Sequence, residues 1–154
     1  APVSDGSIVI GKFLSAWAFY SLLLMGTLVY PIILMSLGIF PDLGIALSAY
    51  IGIWLYGGAA LAVGVGFSAI TDSQVMAAFL SMSFLLLMWL GDLAGNIVAS
   101  FDLANLIRKL SLQGHYSTSF AVGLFRAEDV AYFAGMIVVA LFITIRLLES
   151  RRWR

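Results

Sequence analysis

Three stretches of this chain carry no charged residue: Phe13 to Pro41, Leu43 to Thr71 and Ser73 to Gly91. Crossing a hydrocarbon core of roughly 30 Å takes about 20 helical residues, and each stretch has that length or very nearly so. In lipid a backbone must satisfy its own hydrogen bonds, so each stretch is expected to be a helix. A fourth run, Val130 to Ile145, reaches spanning length once Leu147 and Leu148 are included and Arg146 snorkels to the headgroups. The sequence therefore predicts an all-α polytopic membrane protein. It reads as a single membrane domain, 1–154, with transmembrane helices at about 12–37, 44–70, 73–91 and 129–148. Composition agrees: 10% of residues are charged, where a soluble domain has about a quarter. A formal net charge of zero gives no electrostatic reason to expect a nucleic-acid partner.

The connections differ in kind. "GIFPDLG" (38–44) is a tight turn with Pro41 and Gly44 as breakers, and "ITDSQ" (70–74) is another in which Asp72 or Ser73 can cap the next helix. The segment 92–128 is neither apolar enough to span nor polar enough to be a free loop. From Phe101 to Leu110, Leu103, Leu106, Ile107 and Leu110 recur at helical spacing, with Asp102, Asn105, Arg108 and Lys109 opposite. That is an amphipathic helix suited to a membrane interface. With the polar and aromatic stretch that follows, it predicts an external amphipathic or re-entrant helical hairpin between the third and fourth spans.

Orientation is read from basic residues. Arg146, Arg151, Arg152 and Arg154 crowd the C-terminus beside Trp153, which places that end in the cytoplasm. An even helix count puts the N-terminus there too, with Lys12 as a headgroup anchor alongside Arg146, Arg151 and Arg152. The 92–128 segment then lies outside. No cleavable signal peptide is read near Lys12, because the apolar run after it is too long and has no small-residue cleavage site. Within the second helix Gly58, Ala62 and Gly66 form a small-residue stripe, with Ala60 and Gly64 as a second small pair, through which backbones can approach closely in lipid. Pro31 is expected to kink the first helix.

Several motifs invite a chemical reading. Gly6 to Lys12 reads G-x-x-x-x-G-K, one residue short of a phosphate loop, but Phe13 stands where Mg²⁺ needs a hydroxyl, and five residues before Gly6 are too few for a buried strand. The stretch is better read as a cytoplasmic lead into the first helix, with Ser4 or Asp5 as a cap. There is no cysteine and one histidine, so thiolate metal sites and disulfides are excluded. His115 has no carboxylate close in sequence and reads as exposed or hydrogen-bonded in a structural role, ahead of a ligand or proton switch. Glu128 and Asp129 open the last helix, where they complement its dipole. No charge lies in the central part of any span, and no serine, histidine and aspartate set has a nucleophilic spacing. The chain is thus expected to be neither an ion-coupled transporter nor an enzyme, and to carry no cofactor.

Taken together the segments resemble one family. "PVSD…IVIGKF" resembles the lead into the third membrane helix of ABC-2 type transporter permeases, and "GFSAITDSQVMAAFLSM" resembles their cytoplasmic turn between helices four and five. "SLQGHYSTSFAVGLFRAEDVAYF" followed by "RLLESRRWR" resembles the external segment, last helix and basic tail of the gliding-motility and copper-enzyme-maturation branch. The resemblance implies a six-helix fold whose last four helices correspond to this chain; the first two, with most of the first coupling segment, are not in it. It also implies a permease subunit moving substrate with ATP hydrolysed on a separate cytoplasmic ABC ATPase, beside a second permease copy or a related permease, in a bacterial inner membrane. ATPase-coupling positions carried over are Ser4, Asp5, Thr71, Asp72 and Gln74. A non-transporting membrane anchor or assembly subunit is the alternative that a four-helix set also suits.

Overall fold

In the computed structural model, residues 4–97 and 101–152 are described; the side chains at 92, 94–97, 101, 103–104, 107–108 and 151–152 lie outside that description. The elements in chain order are α1 (Asp5–Gly26), α2 (Val29–Ser36), α3 (Leu43–Ile70), α4 (Gln74–Ile97), α5 (Phe101–Leu110), α6 (Leu112–Ser117), a 3-10 turn (Phe120–Val122) and α7 (Ala127–Arg152). Among the described residues there is no strand. Four helical stretches are long and apolar enough to cross a membrane: Asp5–Ser36, Leu43–Ile70, Gln74–Gly91 and Ala127–Ser150.

The first span starts earlier than its apolar pattern suggests. Ser4 caps it, its hydroxyl accepting from the Ser7 amide at 3.2 Å. Gly6 to Lys12 is therefore continuous helix, which removes the loop geometry that phosphate binding would need. The span is interrupted at Thr27–Leu28, one turn before Pro31. Proline has no N–H to return to the carbonyl four residues back, and that carbonyl belongs to Thr27. Two donors replace the missing one: the Tyr30 amide at 3.0 Å and the Tyr50 hydroxyl of α3 at 3.1 Å. Pro31 itself falls in the first turn of α2, where a proline is tolerated.

At the next turn Gly38 adopts φ 80°, the left-handed conformation that closes helix C-termini. Asp42 then caps α3, its carboxylate accepting from the amides of Gly44 at 2.8 Å and Ile45 at 3.3 Å. Thr71 ends α3, and α4 begins at Gln74 with the Ala77 amide on the Ser73 carbonyl at 3.0 Å. Ser73 rather than Asp72 thus holds the capping position. The last two spans also run beyond the apolar cores read from sequence, α4 to Ile97 and α7 from Ala127 to Arg152. Charged or polar residues extend a helix past its apolar run whenever nothing breaks it.

The central element is α3, the most buried of the four spans, against which α1, α4, α7 and the 3-10 turn all pack. Its glycines explain how. Removing the side chain at one position uncovers the carbonyl one turn earlier. Opposite Gly57, Tyr20 of α1 donates its hydroxyl to the Ile53 carbonyl at 2.9 Å. Opposite Gly58, Trp17 donates its indole N–H to the Trp54 carbonyl at 3.3 Å. The Trp17 and Trp54 rings stack with centroids 4.4 Å apart, and the Trp54 N–H reaches Ser21 at 2.8 Å. Aromatic N–H and O–H groups therefore find partners inside an otherwise apolar interface.

Candidate functional site

Chain direction divides the bundle into two ends. One end gathers the start of α1, the α3–α4 turn and the end of α7. Lys12 donates to the Ser68 hydroxyl at 2.7 Å, and a Cβ at Gly6 would meet Ile145 at 3.8 Å. Here lie the positions carried over for coupling: Ser4 at the cap, Asp5 in the first turn of α1, and Thr71, Asp72 and Gln74 at the α3–α4 turn. Thr71 bonds back to the Phe67 carbonyl at 2.9 Å, while Asp72 and Gln74 are exposed. Lys12, read as a headgroup anchor, is exposed but also bridges two spans. Arg146 pairs with Glu149 at 3.1 Å and lies over the Phe142 ring at 5.2 Å. The side chains of Arg151 and Arg152 lie outside the described residues.

The small-residue stripe of α3 faces helices. A Cβ at Gly58 would meet Trp17 at 3.0 Å and Ile137 at 3.2 Å, and one at Gly66 would meet Thr144 at 3.1 Å. Ala62 is fully buried. Gly52 of α3 lies outside that stripe and serves the opposite end.

At the opposite end, the segment after α4 folds back on the bundle. The amphipathic helix spans Phe101–Leu110 as its spacing predicts, with Leu106 and Leu110 exposed. After α6 the chain tightens into the 3-10 turn, closed by Gly123 at φ 83°. Phe120 enters the niche that Gly52 leaves open and is fully buried there, near Phe133 and Phe125. Its carbonyl accepts from the buried Ser48 hydroxyl at 2.9 Å, which satisfies a backbone group that apolar surroundings would otherwise strand.

Beside this anchor the structure assembles a polar cluster that sequence spacing did not reveal. Asp129, in the first turn of α7, does more than complement the helix dipole. It is 5% exposed, and its Oδ1 lies 2.6 Å from His115 Nδ1. No carboxylate stands close to His115 in sequence, but the fold supplies one from fourteen positions on. His115 Nε2 reaches the Lys109 carbonyl at 3.0 Å, and the ring stacks on Tyr132 with centroids 3.9 Å apart. Tyr132 donates to the Leu110 carbonyl at 2.7 Å, and Ser119 donates to the His115 carbonyl at 2.6 Å. Burial pushes the neighbouring Tyr116 phenol above its usual range. A cleft of about 280 Å³ opens on this cluster, lined by Asn105, Lys109, Thr118, Arg126, Glu128 and Asp129 among others.

The cluster joins α5, α6 and α7 through one histidine. Among the described residues, no group of three or more histidine, cysteine, aspartate or glutamate side chains is placed to hold a metal ion. His115 meets one carboxylate, one backbone carbonyl and one ring, which suits fastening. No known family model, curated protein or solved structure matches this chain.

Proposed function

We propose that this chain is the four-helix, membrane-embedded part of an ABC-2 type permease subunit, moving substrate with ATP hydrolysed on a separate cytoplasmic subunit. The carrying observation is the division of the bundle. The short turn at 71–73 joins two long rigid helices at the end that also holds both described chain termini, and the folded segment 101–126 sits at the other end. That is the arrangement the resemblance implies.

In this reading both termini face the cytoplasm of a bacterial inner membrane. An ATPase dimer closing on nucleotide pushes the α3–α4 turn. Because α3 packs on α1, α4 and α7, displacement at the turn reaches the Phe120 anchor through packed helices rather than through a slack loop. A second permease copy completes the path. The segment 101–126 lies as an external amphipathic hairpin: α3 has 28 residues, about 42 Å at 1.5 Å each, so its first turns reach beyond a core of roughly 30 Å and meet the hairpin at headgroup depth.

The test is affinity purification of the tagged full chain from its native membrane in mild detergent. An ABC-type ATPase should co-purify with ATP hydrolysis in the eluate. Replacing Thr71, Asp72 and Gln74 together by Gly should lose it without lowering membrane yield. A wild-type eluate free of any nucleotide-binding subunit refutes the proposal.

A further inference from the structure

His115 is the one histidine of the chain, and both its ring nitrogens face oxygens that accept. The Lys109 carbonyl has no proton to give, so the hydrogen of that 3.0 Å contact sits on Nε2. A neutral imidazole has only one N–H. With that hydrogen on Nε2, Nδ1 presents a lone pair, and an ionised Asp129 would then set acceptor against acceptor at 2.6 Å. One added proton removes the conflict. It makes either an imidazolium beside a carboxylate or a neutral ring beside a protonated carboxyl, and in both cases the pair holds two protons. We propose that the His115–Asp129 joint is a proton-binding site, and that this shared proton fastens the α5–α6 segment to α7.

Two further features favour the protonated pair. Asp129 Oδ2 is buried and has no hydrogen-bond partner among the described residues, so beyond the α7 dipole the carboxylate is stabilised through His115. The Tyr132 ring lies nearly parallel to the imidazole at 19°, offering its electron-rich face to a cation, and its own hydroxyl is tied to Leu110. The other ionisable groups around the joint come from every packed element. Lys109 is on α5, Tyr116 on α6, Arg126 on the connection, Glu128 and Tyr132 on α7, and Tyr56 on α3 stands behind Tyr116. Lys109, Arg126 and Glu128 are exposed, so water damps their opposed effects, whereas Asp129 is buried. The side chains of Asp92 and Arg108 lie outside the described residues.

The direction of the pH response follows from proton counting. Opening the joint hands ring and carboxylate to water. In water neither ring nor carboxylate needs the shared proton, whereas the closed geometry, with an oxygen facing each ring nitrogen, does. The open-to-closed ratio therefore rises with pH, by up to tenfold per unit, until the closed pair gives up its proton.

Because His115 is alone, its ring gives a single pair of ¹⁵N resonances in the full chain reconstituted in nanodiscs. Spin labels on cysteines replacing exposed Thr118 and Ala134 report the distance from the end of α6 to α7, in a sequence with no native cysteine. At pH 6 the pair should show two protons and a short, narrow distance. As pH is raised until the Nδ1 proton leaves, the distance should lengthen with it. In Asp129→Asn the amide N–H can donate to a bare Nδ1, so a neutral ring satisfies both contacts and the distance should stay short at pH 9. A closed wild-type joint holding one proton at pH 6 overturns the proposal, as does opening uncoupled from proton loss or an equal pH response in Asp129→Asn. Should Asp129→Asn fail to fold, the wild-type ring signals and distances still decide. The outcome is independent of whether the chain is a permease.

Discussion

Gly52 lies in the interior of α3, where alanine is the better helix former by about 1 kcal/mol. Helix propensity alone makes Gly52→Ala stabilising. The structure predicts the opposite sign. An ideal Cβ at 52 falls 2.4 Å from Phe120 Cβ, 2.6 Å from its Cγ and 3.0 Å from Tyr116 Cδ2. Non-bonded carbons settle at about 3.5–4.0 Å, so the 3-10 turn must retreat by about 1 Å or more. Ring rotation gives no relief, because the nearest atom is the Cβ fixed to the Phe120 backbone. That backbone is itself held by Ser48 at 2.9 Å. Overpacking of this kind costs about 1–3 kcal/mol, and loss of the Ser48 bond adds about 1. Net of the propensity gain, Gly52→Ala should lose about 1–3 kcal/mol, a fall of roughly 2–12 °C in Tm at 2–4 °C per kcal/mol. The assay is thermal unfolding of the purified chain in detergent, with Gly11→Ala as control. That glycine is also helical but has nothing within 4 Å of its would-be Cβ, so its variant should match or exceed wild type. The cost at 52 should largely vanish in a Phe120→Gly background, which removes the opposing Cβ, whereas Phe120→Ala keeps it. Equal stability of the Gly52→Ala and Gly11→Ala variants refutes the reasoning, as does an undiminished cost beside Phe120→Gly.

Asp42→Ala should remove the cap of α3 at a cost of about 1 kcal/mol, read as faster amide exchange at Gly44 and Ile45, the two amides Asp42 now holds. Tyr50→Phe should strip the Thr27 carbonyl of its hydroxyl donor and lower stability by about 0.6–1 kcal/mol; an unchanged melt would mean water or lipid replaces the bond. Single cysteines at Ser4, Ala121 and Ser150, probed with an impermeant thiol reagent in intact cells, should label at 121 alone. Labelling at 4 or 150 with 121 protected would invert the proposed orientation.

The four long apolar helices were legible because a charge-free run of that length is expected to satisfy its backbone internally, as lipid would require. The amphipathic helix at 101–110 was legible through its spacing. The interruption of the first span was legible in cause and only roughly in place. Pro31 marks the missing donor, but the break falls where the undonated carbonyl is, at Thr27. Helix ends were the least legible, since Asp5 and Glu149 lie within helices despite their charge, and an apolar window stops short of them.

The cluster at His115 was hidden for a different reason. Its contacts are set by where the chain folds back, and that depends on Phe120 finding the niche at Gly52, more than sixty positions earlier in the sequence. No local periodicity encodes such a pairing. A usable signal did exist in the accounting of polar groups. In a chain this apolar, a histidine and an acid flanking the same fold-back have few partners other than each other, because burial of either alone costs several kcal/mol. Asp129 differs from Glu128 in this respect: one reaches inward to the ring and the other remains exposed, although both open the same helix. Adjacent acids at a helix start thus divide between dipole and joint according to the face each presents.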